Sequence, residues 1–201
     1  MSDLIIKPSG TSANFKVQNP SGTDKIVMNS SGTITTGTLG SGVTFPAGHI
    51  LQVQSFAYTD DNKSGTGTTF SDTGLTVSIT PTATSSKIMV TAQVSMGASN
   101  GYRYAIRLVR DSTDIFVGDA SGTARTRATA SHQGSGGNMI DFTFPVMFLD
   151  SPSTTSATTY KIQAAVEQAG GSWFLNRGAQ NNDNSTVYVA ASSITVMEIS
   201  A

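Results

Sequence analysis

The 201 residues carry a net charge of −1 with only 12% charged side chains, so no overall field would draw nucleic acid or an anionic membrane. The absence of cysteine excludes disulfides and any thiolate metal site. Ser and Thr are abundant (27 and 28 residues), Gly reaches 20, and the only glutamates are Glu167 and Glu198, a balance that favours strands and turns over helices.

Residues 1–45 repeat themselves. Val17-Gln18-Asn19-Pro20-Ser21-Gly22-Thr23 returns as Val27-Met28-Asn29-Ser30-Ser31-Gly32-Thr33, and Pro8-Ser9-Gly10-Thr11 is a partial copy ahead of both. Each unit is a short β-prone run closed by a turn in which Gly supplies positive φ. A unit this small cannot bury its own apolar residues, and segments below about 40 residues usually need a staple or oligomerisation. Three such segments about an axis would enclose what one cannot, so a trimeric β-stalk is expected. Leu4, Ile5, Ile6, Phe15 and Val17 are its candidate anchoring residues. The start lacks the basic n-region of a signal peptide, and no run approaches the ~18 apolar residues of a membrane span.

Residues 46–48, Pro46-Ala47-Gly48, form a joint, because Pro fixes φ and Gly frees it. From 49 to 201 the pattern changes to longer alternating runs. Leu75, Val77 and Ile79 share one face of 74–80; Ile88, Val90, Ala92, Val94 and Met96 share one face of 87–96; Tyr102, Tyr104, Ile106 and Leu108 share one face of 102–110. Runs at 49–58, 113–118, 139–149, 158–168, 172–176 and 186–199 complete the series. This alternation predicts about eight or nine half-buried antiparallel strands. The expected chain is all-β: a short-repeat stalk (1–45), the joint, and a jelly-roll-like β-sandwich head (49–201).

Catalytic signals are sparse. Gly97-Ala98-Ser99-Asn100-Gly101 spells the G-x-S-x-G nucleophile elbow, which requires a strand before it and a helix after it. A strand pattern lies on both sides here, so the segment reads as a hairpin loop, no catalytic residue is assigned, and Ser99→Ala is expected to be silent. Metal-ligand spacings such as H-E-x-x-H are missing, and no metal or cofactor is expected. Asp60-Asp61 and Asn181-Asn182-Asp183-Asn184 offer oxygens for Ca²⁺, but these residue types populate turns for conformational reasons.

Five of the six arginines, Arg103, Arg107, Arg110, Arg125 and Arg127, lie within 25 residues. Arg103 and Arg107 share a strand face, as do Arg125 and Arg127 if extended. A solvated face balanced by Asp111, Asp114 and Asp119, a subunit interface, and a patch for an anionic glycan are all open readings. Trp173 and Tyr188 with Gln180, Asn181, Asn182 and Asp183 are the candidate sugar-binding group, against the alternative that a lone Trp beside Phe174 and Leu175 is core. Receptor contacts are expected in three polar loops, 60–67, 131–138 and 180–185. Their candidate residues are Asp60, Asp61, Asn62 and Lys63; His132, Gln133 and Asn138; and Gln180, Asn181, Asn182 and Asp183.

Four stretches carry a resemblance. Phe45-Pro46-Ala47-Gly48-His49-Ile50-Leu51-Gln52-Val53 and Thr73-Gly74-Leu75-Thr76-Val77-Ser78-Ile79-Thr80-Pro81 are two of them. Leu149-Asp150-Ser151-Pro152-Ser153-Thr154-Thr155-Ser156-Ala157-Thr158-Thr159-Tyr160 and Ile194-Thr195-Val196-Met197-Glu198-Ile199 are the others. Their wording resembles tail-fibre and structural virion proteins of marine and cyanobacterial bacteriophages. The resemblance implies a non-enzymatic homotrimer on the virion surface, assembled in the host cytoplasm. Its N-terminal segment would bind other virion proteins, and its distal β-rich head would meet a host glycan or protein. Neither nucleic acid nor membrane insertion is expected. The separate adaptor domain and long shaft of large tail fibres are lacking, so tail, capsid surface and the tip of another fibre remain open positions. A capsid decoration protein at three-fold positions is the rival within the class. From another class come a sugar-binding lectin and a tailspike glycosidase, the latter needing a carboxylate pair in a groove.

Overall fold

The computed structural model describes residues 15–18, 20–28, 31, 34–36, 46–134 and 140–201, which divide into two compact units, Met1–Phe45 and Pro46–Ala201. Leu4, Ile5, Ile6 and Asn138 lie outside the described residues. Among those described, the regular structure is strand throughout except for a 3-10 turn at Ser99–Gly101, and no helix is long and apolar enough to cross a membrane.

The first unit holds a three-stranded antiparallel meander, β1 (Phe15–Gln18), β2 (Asp24–Met28) and β3 (Ile34–Thr36), in that order. The repeated wording falls on β1 and β2, and Gly22, at φ +79°, turns the chain between them. Val27 is buried, whereas Val17 and Ile26 remain exposed.

The second unit is a β-sandwich. One sheet runs in the order β10 (Ala130–Gln133), β8 (Arg103–Arg110), β12 (Thr158–Val166), β6 (Ser71–Ile79), with β9 (Thr113–Ile115) also on β8. The other places β4 (Ile50–Tyr58), β14 (Ser192–Ile199) and β7 (Lys87–Ala98) side by side. β11 (Phe142–Asp150) lies on β7, while β13 (Ser172–Leu175) bridges the end of β7 to β5 (Ser64–Thr66). All pairings among the described residues of this unit are antiparallel. The alternation read in the sequence turns Leu75, Val77 and Ile79 from β6, Ile106 and Leu108 from β8, and Ile88, Val90 and Val94 from β7 into one shared core. Each fully buried Ile or Leu there contributes roughly 1.5–3 kcal/mol. Opposite Ile162, β6 bulges by carrying residues 73–75, and the buried Thr73 hydroxyl fills the gap by donating to the Ile162 carbonyl at 2.8 Å.

Two polar ties cross the core. Arg110 on β8 holds Asp150 on β11 through both carboxylate oxygens (2.9 and 2.8 Å), and the Tyr160 hydroxyl on β12 donates to the same carboxylate at 2.7 Å. Burial, with that carboxylate beside it, pushes the Tyr160 hydroxyl far above its ordinary value. Tyr104 donates to the Met96 carbonyl at 3.3 Å and meets Phe144 edge-on at 5.6 Å.

The described part of this unit has eleven strands, β4 to β14, rather than eight or nine. The two beyond the runs read in the sequence are β5 and β10, three and four residues long and too short to display a period of their own, whereas β9 and β13 fall within the runs 113–118 and 172–176.

Candidate functional site

The antiparallel register gives the sandwich two distinct ends. At one end the chain enters at Pro46, clasped by the C-terminal Ser200: Gly48 N–H donates to the Ser200 carbonyl (2.8 Å), Ser200 N–H to the His49 carbonyl (2.9 Å), and Ser200 Oγ to the Pro46 carbonyl (2.8 Å). The far end gathers the closing residues of β4, β7, β10 and β12 and the opening residues of β6, β8, β11 and β14. The described parts of loops 60–67, 131–138 and 180–185 therefore lie at the end away from Pro46.

The first and third loops share a foundation that sequence reasoning missed. Asn176, buried at φ +63°, donates its amide to the carbonyls of Tyr58 (2.7 Å) and Asp60 (2.9 Å), while its own oxygen accepts from Ser192 Oγ at 2.6 Å. Asn tolerates this left-handed backbone because its short side chain bonds locally. Next to it, Arg177 is buried, donates Nε to the Asp61 carbonyl at 2.7 Å and lies over the Phe174 ring at 4.2 Å. Burial lowers its pKa, and the nearby Asp61 charge opposes that shift. Asn62 accepts from the Tyr58 hydroxyl at 2.8 Å, and Leu175 N–H donates to the Lys63 carbonyl at 2.9 Å. The backbone of 60–63 is thus fixed from beneath, and the Asp60 and Asn62 side chains sit on the outside. Gln180 is half-buried; Asn181, Asn182 and Asp183 are exposed.

The segment expected to be a loop from 131 starts instead as strand, since Ser131, His132 and Gln133 pair with β8 in β10. The His132 ring stacks on Phe142 (4.7 Å, 16° between planes) and faces Tyr104 edge-on at 6.0 Å, while Gln133 is exposed. Trp173 is 1% exposed and belongs to the core; Tyr188 is exposed, so the two present no common surface for a sugar. Ser99 sits in a strand–turn–strand setting, where its Oγ accepts from Ser172 N–H at 2.9 Å.

The clustered arginines do not converge. Arg103 pairs with Glu167 at 2.9 Å, and Arg107 pairs with Asp114 while its guanidinium covers the Phe70 ring at 3.8 Å. Arg127 donates to the Gly118 carbonyl at 2.6 Å and Arg125 to Ser121 at 3.5 Å, both within their own loop. The Arg103 backbone N–H, and then its guanidinium, hold the Glu167 carboxyl below its ordinary range. On the same outer face Lys161 pairs with Asp72 at 2.9 Å; hydrogen bonds from Gln163 and Lys161 lower the Asp72 pKa against a modest burial effect. Above Ala105 of β8 and its partner Ala165 of β12 the face is hollow, about 300 Å³, bounded by Phe70, Arg103, Glu167, Thr126 and Ser131.

The outer face of the other sheet is of opposite character. Val53, Met197, Met89 and Leu149 line up across β4, β14, β7 and β11, followed by Ser55, Thr195, Thr91 and Met147. Met147 is 70% exposed, Val53 51% and Leu149 48%. Lys87, at the margin and bonded to Ser151 at 2.8 Å, is the one ionisable side chain that these four strands turn outward among the described residues. No protein-family model matches the chain, and no curated protein matches it.

Proposed function

We propose that the chain is a non-enzymatic bacteriophage virion structural protein, a short homotrimeric surface fibre whose head meets the host surface. The head is read as a jelly roll, since β6, β7, β8, β11, β12 and β14 fall alternately in the two sheets. The observation that carries the recognition role is the polarity of the second unit: attachment at Pro46, candidate contact loops at the far end on a rigid, buttressed base. The homotrimer draws support from the uncharged face of β4, β14, β7 and β11, which three copies can turn toward a common axis without burying an unpaired charge. In plan it measures on the order of 500 Å² from strand spacing and rise, comparable with the ~800 Å² that each partner buries in a standard interface. Residues 1–45 are read as a trimeric stalk that binds the particle.

Soluble full-length protein should compete with phage for host cells, and immunogold labelling should mark the tail or fibre tips. Labelling spread over the capsid, with particles lacking the protein bursting more readily and the soluble protein failing to block infection, would replace this reading by capsid decoration.

A further inference from the structure

We propose that the hollow above Ala105 and Ala165, walled by Phe70 and rimmed by Arg103, Glu167 and Thr126, binds one uncharged pyranose ring. As the head's ligand site, this rests on the host-recognition reading; as a sugar site it stands on its own geometry. The hollow exists because two alanines meet across the β8–β12 ladder, between the Arg103–Glu167 row and the row in which Arg107 faces Gln163. Any longer side chain at either position would fill it. Its volume, about 300 Å³, lies at the lower end of ligand sites and suits one ring better than an extended chain.

The lining chooses the ligand class by elimination. An anion gains little, because Arg103 is neutralised by Glu167 and Arg107 by Asp114, while Arg125 and Arg127 do not line the hollow. A purely apolar ligand would strip water from the ion pair and from the Thr126 and Ser131 hydroxyls without replacing its hydrogen bonds. A neutral polyol supplies both. Its hydroxyls donate to the Glu167 carboxylate and accept from the Arg103 guanidinium, and its C–H face packs on the alanine floor and the Phe70 wall. The Arg107 guanidinium stacks on that ring at 3.8 Å and holds it in place. The wall is therefore formed before the ligand arrives, which lowers the ordering cost of binding.

The test is saturation-transfer NMR on the full-length protein with methyl glycosides of glucose, galactose, mannose, fucose and N-acetylglucosamine, and with a sialoside as the charged control. At least one neutral glycoside should receive saturation, and Ala105→Leu, which fills the floor, should reduce it at least tenfold. Thr126→Phe, on an exposed loop and so harmless to the core, should do the same if the floor variant misfolds. Thr84→Ala, exposed at the Pro46 end, should leave binding unchanged. Saturation of no neutral glycoside, undiminished binding in both filled variants, or preference for the sialoside would each overturn the assignment. Cell competition separates this claim from the broader one. If Thr126→Phe protein still blocks adsorption as well as the parent, recognition stands and the hollow is not its site. If neither protein blocks adsorption although the glycoside binds, the sugar site stands and the host-recognition reading fails.

Discussion

Glu198 is fully buried, yet its carboxylate accepts from Gln52 Nε2 (2.6 Å), from the Thr82 N–H and hydroxyl (both 2.7 Å), and from Ser86. Burial alone would raise its pKa; the hydrogen bonds from Ser86, Gln52 and Thr82 outweigh it and leave the group below its ordinary 4.5. A depressed folded value means that the stabilisation is present above 4.5 and is lost as pH falls through the folded value. Glu198→Gln turns an amide donor toward other donors and should cost about 1–3 kcal/mol at pH 7. Urea denaturation at pH 7 and pH 3 should show the gap between parent and variant narrowing in acid. Ser99 gives a second residue-scale outcome. The sequence suggested a silent Ser99→Ala, but its Oγ is the acceptor for Ser172 N–H, so the substitution should cost about 1 kcal/mol. An unchanged melting temperature would show that water replaces the hydroxyl.

Gly65 of β5 illustrates what holds the short elements. A Cβ there would lie 2.5 to 2.7 Å from the ring atoms of Trp173 on β13, and that ring is enclosed in the core. Gly65→Ala should therefore push β5 off β13 and destabilise the unit by about 1–3 kcal/mol. Because Trp173 is the sole tryptophan, a red-shifted emission in the native state would report the displacement directly. The long strands were legible because each buries one face, so apolar residues alternate over eight or more positions. Of the short strands, β9 and β13 fell within runs read from the sequence, whereas β5 and β10 did not, since Ser-Gly-Thr and Ala-Ser-His-Gln carry no apolar alternation. The same limit applies to the sites. Asn176 ends the run 172–176 and Arg177 follows it, and their acceptors lie 116 to 118 positions away, so nothing local marks them as the base of the 60–63 loop. The hollow was equally hidden: it depends on Ala105 and Ala165 meeting across a ladder, and alanine carries no signal of its own. The arginine cluster was visible as a cluster, but its carboxylate partners come from other strands and loops.

At the scale of the whole molecule, the two outer faces divide the roles: ion pairs cover β8, β12 and β6, while β4, β14, β7 and β11 turn outward almost without charge. Met197→Glu places a carboxylate in the middle of the apolar row beside Met89 and Val53. If the proposed trimer forms through this face, the unit should keep its secondary structure while light scattering shows monomers in place of trimers; a trimer unaffected by the substitution would place the contact elsewhere. The Ser200 clasp carries a mechanical consequence. β4 follows the clasp and, among the described residues, its ladder partner is β14 along nearly its whole length, with Pro46 and Ser200 at the same end. A load between Pro46 and the far loops pulls along β4, and its ladder bonds, perpendicular to the strand, resist together in shear. A load between Pro46 and Ala201 instead peels the two strands apart one bond at a time. Single-molecule stretching in the two geometries should give a high, single rupture force for the first and a low, gradual one for the second. A protein tethered at one end and tugged at the other would be loaded in its strong direction.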